Sequence, residues 1–132
     1  MRLFFSHGSE DDFLVEKLRP DLEQAGAQVF VDHGMEFGDN FRNIIIPELN
    51  QSDEVLVLLT PTSIERAWVM AEIGATVFQG KRIVCFRYGP TIQQLNERGI
   101  VSLLGHINLP HIREFDRYLR NLEGRLNGNG GV

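Results

Sequence analysis

The run "EVLVLL", Glu54 to Leu59, constrains the fold more than any other stretch of the chain. Its five apolar residues follow one another with no polar alternation, so neither face of a strand made from them can be left to water. It is also too short for a buried helix. A strand covered on both faces implies a parallel sheet with helices above and below.

The rest of the chain supplies that setting. "RLFF" (Arg2–Phe5), "QVFVD" (Gln28–Asp32) and "RIVCF" (Arg82–Phe86) read as further strands, with a weaker one near Leu103–Leu109. Between them lie stretches of helical period. Leu14, Leu18, Leu22 and Ala25 form one apolar stripe, interrupted by Pro20, where a kink is expected, and stopped at Gly26. Ser9 is the expected N-cap of that helix, with Asp12 in the capping-box position. Asp39 is placed to cap a second helix bearing Phe41, Ile44, Ile45 and Leu49, with Pro47 inside it. Thr62 or Ser63 is placed to cap a third, Ala67 to Phe78. A helical turn spans Thr91–Arg98, and a last helix runs from about His111 to Leu126. The order is βαβαβαβαβα. It predicts an α/β flavodoxin-like fold, a five-stranded mostly parallel sheet of order 2-1-3-4-5 with helices on both faces. Residues 1–126 form the expected domain, and 127–132 ("NGNGGV") a flexible tail or linker remnant.

Bulk properties narrow the function. A net charge of −5 and a pI near 5.3 argue against nucleic acid as a partner. The single cysteine, Cys85, allows no disulfide within the chain and no thiolate metal site, which suits the cytoplasm. No apolar stretch is long enough for a signal peptide or a membrane span, so no membrane association is expected. No phosphate-binding glycine motif occurs, and the tail "GNGG" has no helix after it.

In open α/β sheets, ligands bind beyond the carboxyl ends of the strands where the strand order reverses. For order 2-1-3-4-5 that point receives Ser6, His7 and Gly8 after strand one and Thr60 to Trp68 after strand three. Glu72 lies one turn after Trp68, at i, i+4. It is the only charge in an apolar helix, and its helical neighbours Trp68, Val69, Ala75 and Thr76 offer no basic partner. Each of these residues has a plainer role available. Glu72 can be a solvated helix residue, Trp68 core, and Ser6 a cap for backbone groups at a strand end. His7 and His33 beside Glu10, Asp11 and Asp12 lack a recognised ligand spacing, so no metal is expected; the acids more simply complement a helix dipole. Phe41 reads as core-facing, Phe37 as an exposed loop residue, and Arg42 and Arg66 as solvent charges able to reach a pyrophosphate.

Taken together, "FFSH", "GDNF", "VLVLLTPTS" and "WVMAEIGAT", spread from about Leu3 to Phe86, resemble a TIR (Toll/interleukin-1 receptor) domain of the prokaryotic type. The resemblance implies two occupations. Many such domains cleave NAD+ with a glutamate at the position of Glu72; others are scaffolds that only self-associate. It also implies an assembly loop, here His33, Gly34, Met35, Glu36, Phe37, Gly38 and Asp39. The resulting expectation is an NAD+ glycohydrolase, active on assembly in bacterial antiphage defence, with NAD+ as substrate and no cofactor. Glu72 is the expected catalytic residue. Ser6, His7, Phe41 and Trp68 are the expected substrate-lining residues, and Arg42 and Arg66 the phosphate contacts. His7-Gly8 stands where several active relatives carry a basic residue. A sensor domain following Val132 in a longer parent is a further possible partner. The competing reading is a non-enzymatic interaction module. A response-regulator receiver is excluded, because strand three ends Leu58-Leu59-Thr60 without a phosphorylatable Asp. A nucleoside deoxyribosyltransferase-like enzyme fits the motifs less well.

Overall fold

The computed structural model describes residues 1–31 and 41–127, with the backbone alone for 41–45. All six residues of strand β3 (Glu54–Leu59) are buried, and the sheet is built outward from them. Strand β1 (Arg2–Ser6) pairs with β3 on one side, Phe5 opposite Leu56. Strand β4 (Arg82–Arg87) pairs on the other, Cys85 opposite Val57. Strand β2 (Gln28–Val31) lies outside β1, with Phe30 opposite Phe4. All three pairings are parallel, and the order is β2-β1-β3-β4.

The unalternating pattern of β3 divides its side chains between two cores. One contains Phe4, Val55, Val57 and Cys85 with Leu49 of helix α2 (Phe41–Gln51) and Val69 and Ile73 of helix α3 (Ala67–Phe78). The other contains Phe5, Leu56, Leu58 and Phe86 with Val15 and Leu22 of helix α1 (Asp12–Gln24) and Leu122 of helix α6 (Phe115–Leu126). Burial pushes the Cys85 thiol well above its ordinary range, leaving it a small apolar core group.

A fifth strand is not formed among the described residues. Helix α4 (Ile92–Glu97) is closed by the full capping box of Thr91 and Gln94, and a short helix, α5 (Ile100–Leu104), follows it. A 3-10 turn takes up His106–Asn108. The reason is local. Gly99 and Gly105, at φ +78° and +82°, bracket "IVSLL" with two reversals, and Ile100 and Leu104, four apart, are its buried residues. Among the described residues an isolated parallel bridge joins Arg87 to His111, beyond the expected strand.

Two expected caps are also absent. The first helix opens through a 3-10 turn at Ser9–Asp11, and α1 begins at Asp12 without a side-chain cap. Neither Thr62 nor Ser63 caps α3, whose N-cap is Arg66. The chain between β3 and α3 forms a second 3-10 turn, Ser63–Glu65. Helix α1 runs on through Pro20 to Gln24, and Pro47 is likewise inside α2.

Glu54, at the amino end of β3, is 1% exposed yet charged. It accepts from Arg125 Nη1 at 2.9 Å and Nη2 at 3.3 Å, pairs with Arg82 Nε at 3.3 Å, and receives the Tyr118 hydroxyl. This cluster ties α6 to the edge of the sheet remote from the carboxyl ends of the strands.

Candidate functional site

Sequence placement put Ser6, His7 and Gly8 beside Thr60–Trp68, and the structure brings the two segments together. Strand β1 ends at Ser6, opposite Val57, so both connections leave the same edge of the sheet. They are then fastened side chain to side chain. Thr60 Oγ1 donates to Asp11 Oδ2 at 2.7 Å. Glu10 and Arg66 form an ion pair across the junction. A Cβ built on Gly8 would lie 3.5 Å from Ser63, in ordinary van der Waals contact, and 3.3 Å from the Glu10 carboxylate, so Gly8 packs directly against the opposite connection.

The missing caps are explained by these ties. Asp11 and Asp12 are turned to other partners, Asp11 to Thr60 and Asp12 to His7 Nε2. Ser63 accepts from Thr60 N at 2.8 Å and donates to Leu58 O at 2.8 Å, closing the turn after β3 rather than the helix after it. Sequence reasoning treated Glu10–Asp12 as a helix-dipole run and missed this role. The available signal was three acids directly after a strand-end "SHGS", where a loop must be held against its neighbour.

Helix α3 starts from this junction. Trp68, in its first turn, is half-buried, and the Arg66 guanidinium lies 5.8 Å from the centre of its ring. One turn on, Glu72 is 1% exposed, on the helix face that buries Val69, Ile73 and Thr76. Its solvated reading therefore fails. The Thr76 hydroxyl donates to the Glu72 carbonyl at 2.7 Å, one turn back along the helix. Ser6 Oγ, Trp68 Nε1 and Arg66 Nε are buried with no hydrogen-bond partner among the described residues. Buried polar atoms are rarely left so. His7 is 2% exposed and pairs with Asp12.

The remaining expected residues fall elsewhere. The loop His33–Asp39 and the side chains of Phe41 and Arg42 lie outside the described residues. Among the described residues no group of His, Cys, Asp or Glu is placed to hold a metal ion, and no helix is long and apolar enough to cross a membrane. A cleft of about 620 Å³ opens between β4 and α6, walled by Val84, Phe86, Pro110, Arg117 and Tyr118, and no expected site residue borders it.

A buried carboxylate one turn from an aromatic residue, at the carboxyl edge of a parallel sheet, is a feature of the whole fold and not of one helix. The family model of the TIR domain matches residues 3–122. The chain belongs to the TIR domain family. Its fold is similar to that of the TIR domain of the Toll-related receptor TRR-2 from Hydra magnipapillata, with a TM-score of 0.66 at 19% identity over 91% of this chain and 96% of that one. It is also similar to the CMP N-glycosidase BcmB of Clostridium botulinum, with a TM-score of 0.61 at 18% identity over 93% of this chain and 98% of that one. No curated protein sequence matches the chain significantly. At these identities the solved structures speak for the fold. Among the described residues the sheet has four strands, where five are expected from the order of elements.

Proposed function

We propose that this TIR domain is an NAD+ glycohydrolase that cleaves the bond between nicotinamide and ribose. The observation that carries the reading is the burial of Glu72, 1% exposed on an apolar helix beside Trp68 and at the carboxyl edge of the sheet. Burying a carboxylate costs free energy unless its surroundings offset it, and an acid set in an otherwise apolar helix beside Trp68 supports a functional role.

The chemistry suits one carboxylate. Glycoside hydrolysis ordinarily uses two, one of them to protonate the leaving oxygen. The leaving group of NAD+ is already a cationic pyridinium, and it departs as neutral nicotinamide with the electron pair of the broken C–N bond. Water completes the reaction by bonding to the ribose C1′ and releasing a proton, which gives ADP-ribose; attack by a group within the same molecule gives a cyclic isomer. What the protein must supply is negative charge beside the ribose as positive charge develops there. Glu72 in a partly dry site supplies it. Trp68 offers a flat wall to the sugar or base, and Arg66 and Ser6 offer polar atoms to the phosphate and hydroxyl oxygens.

The test is nicotinamide release from NAD+ by wild type and Glu72→Gln over a wide range of protein concentration. Release by wild type alone supports the reading, and equal release moves the chemistry away from Glu72. A second reading has its own support in the fold shared with a CMP N-glycosidase: the scissile N-glycosidic bond is that of a pyrimidine nucleotide. Cytosine release from CMP, measured in the same samples without nicotinamide release from NAD+, favours it. Within the family's frame we place the enzyme in bacterial defence, acting in the cytoplasm through TIR–TIR assembly. Assembly without turnover of either substrate returns it to the scaffold class.

A further inference from the structure

The Glu10–Arg66 ion pair does more than join two loops. Arg66 precedes the first turn of α3 and lies over Trp68, so it stands at the entrance to the helix face that carries Glu72. Glu10 belongs to the opposite connection, and its carboxylate rests against Gly8 while reaching Arg66. The pair therefore spans the junction between the two connections, where a ligand of this fold enters. Both side chains remain part-exposed, Arg66 at 37% and Glu10 at 42%. The pair is thus hydrated enough to exchange partners. The guanidinium is also incompletely used: its Nε is buried and has no partner among the described residues. An arginine with an idle donor, held to a single carboxylate, is a half-filled site for an oxyanion that could take two of its N–H groups at once.

We propose that Glu10 is a competing carboxylate, a strap across the cleft mouth, and that a phosphate-bearing nucleotide opens it by taking Arg66 away from Glu10. The inference rests on the reading of this cleft as a nucleotide site. It adds that Glu10 sets the affinity for phosphate and discriminates against ligands that lack one. A ligand without phosphate cannot replace what Arg66 loses, and the strap stays shut. A phosphate restores the ion pair with a better geometric match. An ion pair of this exposure costs a competing ligand about two- to fivefold in affinity.

The chain's only tryptophan lies beneath Arg66, so its fluorescence reports on the strap directly. ADP-ribose, inorganic pyrophosphate and nicotinamide riboside are titrated against wild type, Glu10→Gln, Glu10→Asp and Arg66→Gln. Glu10→Gln is expected to bind ADP-ribose and pyrophosphate about two- to fivefold more tightly than wild type, with no change for the riboside. Arg66→Gln weakens both phosphate ligands, and adding Glu10→Gln to it restores nothing. Glu10→Asp, which keeps the charge, stays nearer to wild type than Glu10→Gln does. Equal affinities in wild type and Glu10→Gln, or tightening that extends to the riboside, overturn the strap. Absence of binding by every variant overturns both the strap and the nucleotide site. The predicted tightening in protein that releases no nicotinamide overturns the NAD+ reading and leaves the strap standing. Nicotinamide release with no effect at Glu10 does the reverse.

Discussion

Replacing Glu72 by glutamine keeps the shape of the side chain and its helix propensity while removing its charge. If the charge is what the transition state needs, the rate of nicotinamide release falls by at least roughly 10²–10³. Unfolding in urea stays cooperative, because α3 is held by Val69 and Ile73 in the core and not by the charge. Loss of rate together with loss of the cooperative transition would instead make Glu72 a structural residue. Glu72 stood out in the sequence as a candidate because helical spacing set it among apolar neighbours with no basic residue in reach along the helix, and the structure buries it. The part played by Glu10 was not legible. Its partner Arg66 is 56 positions away in sequence (66 − 10), and no local pattern links the two.

At the scale of elements, the strands and most helices were legible because burial on both faces and helical period are local signals. The fifth strand was misread. Leu103–Leu109 is apolar enough for a weak strand, but the backbone at Gly105, φ +82° and ψ 154°, is open almost only to glycine and turns the chain away from the sheet. Gly105→Ala is therefore expected to cost about 1–3 kcal/mol in urea unfolding, from backbone strain alone, since a Cβ there meets nothing within 4 Å. Gly74, inside α3 and equally unobstructed, is the control. Gly74→Ala should stabilise by about 0.5–1 kcal/mol, because only the entropy of the helix interior changes. A loss at Gly74 would mean that α3 is not the regular helix described. The fastening of α6 carries a pH signature. Burial, then the Glu54 carboxylate, push the Tyr118 phenol well above its ordinary value of 10.0. Above about pH 10 the unfolded chain releases this proton while the folded chain keeps it, so stability is complete below that pH and declines as pH rises further. Tyr118→Phe should flatten part of this alkaline decline in unfolding measured from pH 8 to 11, and an unchanged slope would assign the loss elsewhere. The buried Cys85 thiol contributes in the same direction from about pH 9.

The whole molecule poses the question of whether one copy is enough. TIR domains commonly self-associate, and the expected assembly loop, 33–39, lies outside the described residues. Within a single chain Glu10 and Arg66 pair across the junction, and Ser6 Oγ, Trp68 Nε1 and Arg66 Nε are buried without a hydrogen-bond partner among the described residues. On the proposed function, a neighbour that supplied contacts at this junction would raise the occupancy of the open state without altering the role proposed for Glu72. The expected outcome is that nicotinamide release per chain rises with protein concentration and reaches a plateau once assembly is complete. Light scattering on the same samples locates the assembly transition. A net charge of −5 makes weak mutual repulsion part of the barrier to association, so moderate salt should move both midpoints to lower concentration together. Release strictly proportional to concentration down to the dilute monomer would show that the site is complete in one chain. In that case assembly would serve to relay the signal, and the strap alone would govern entry.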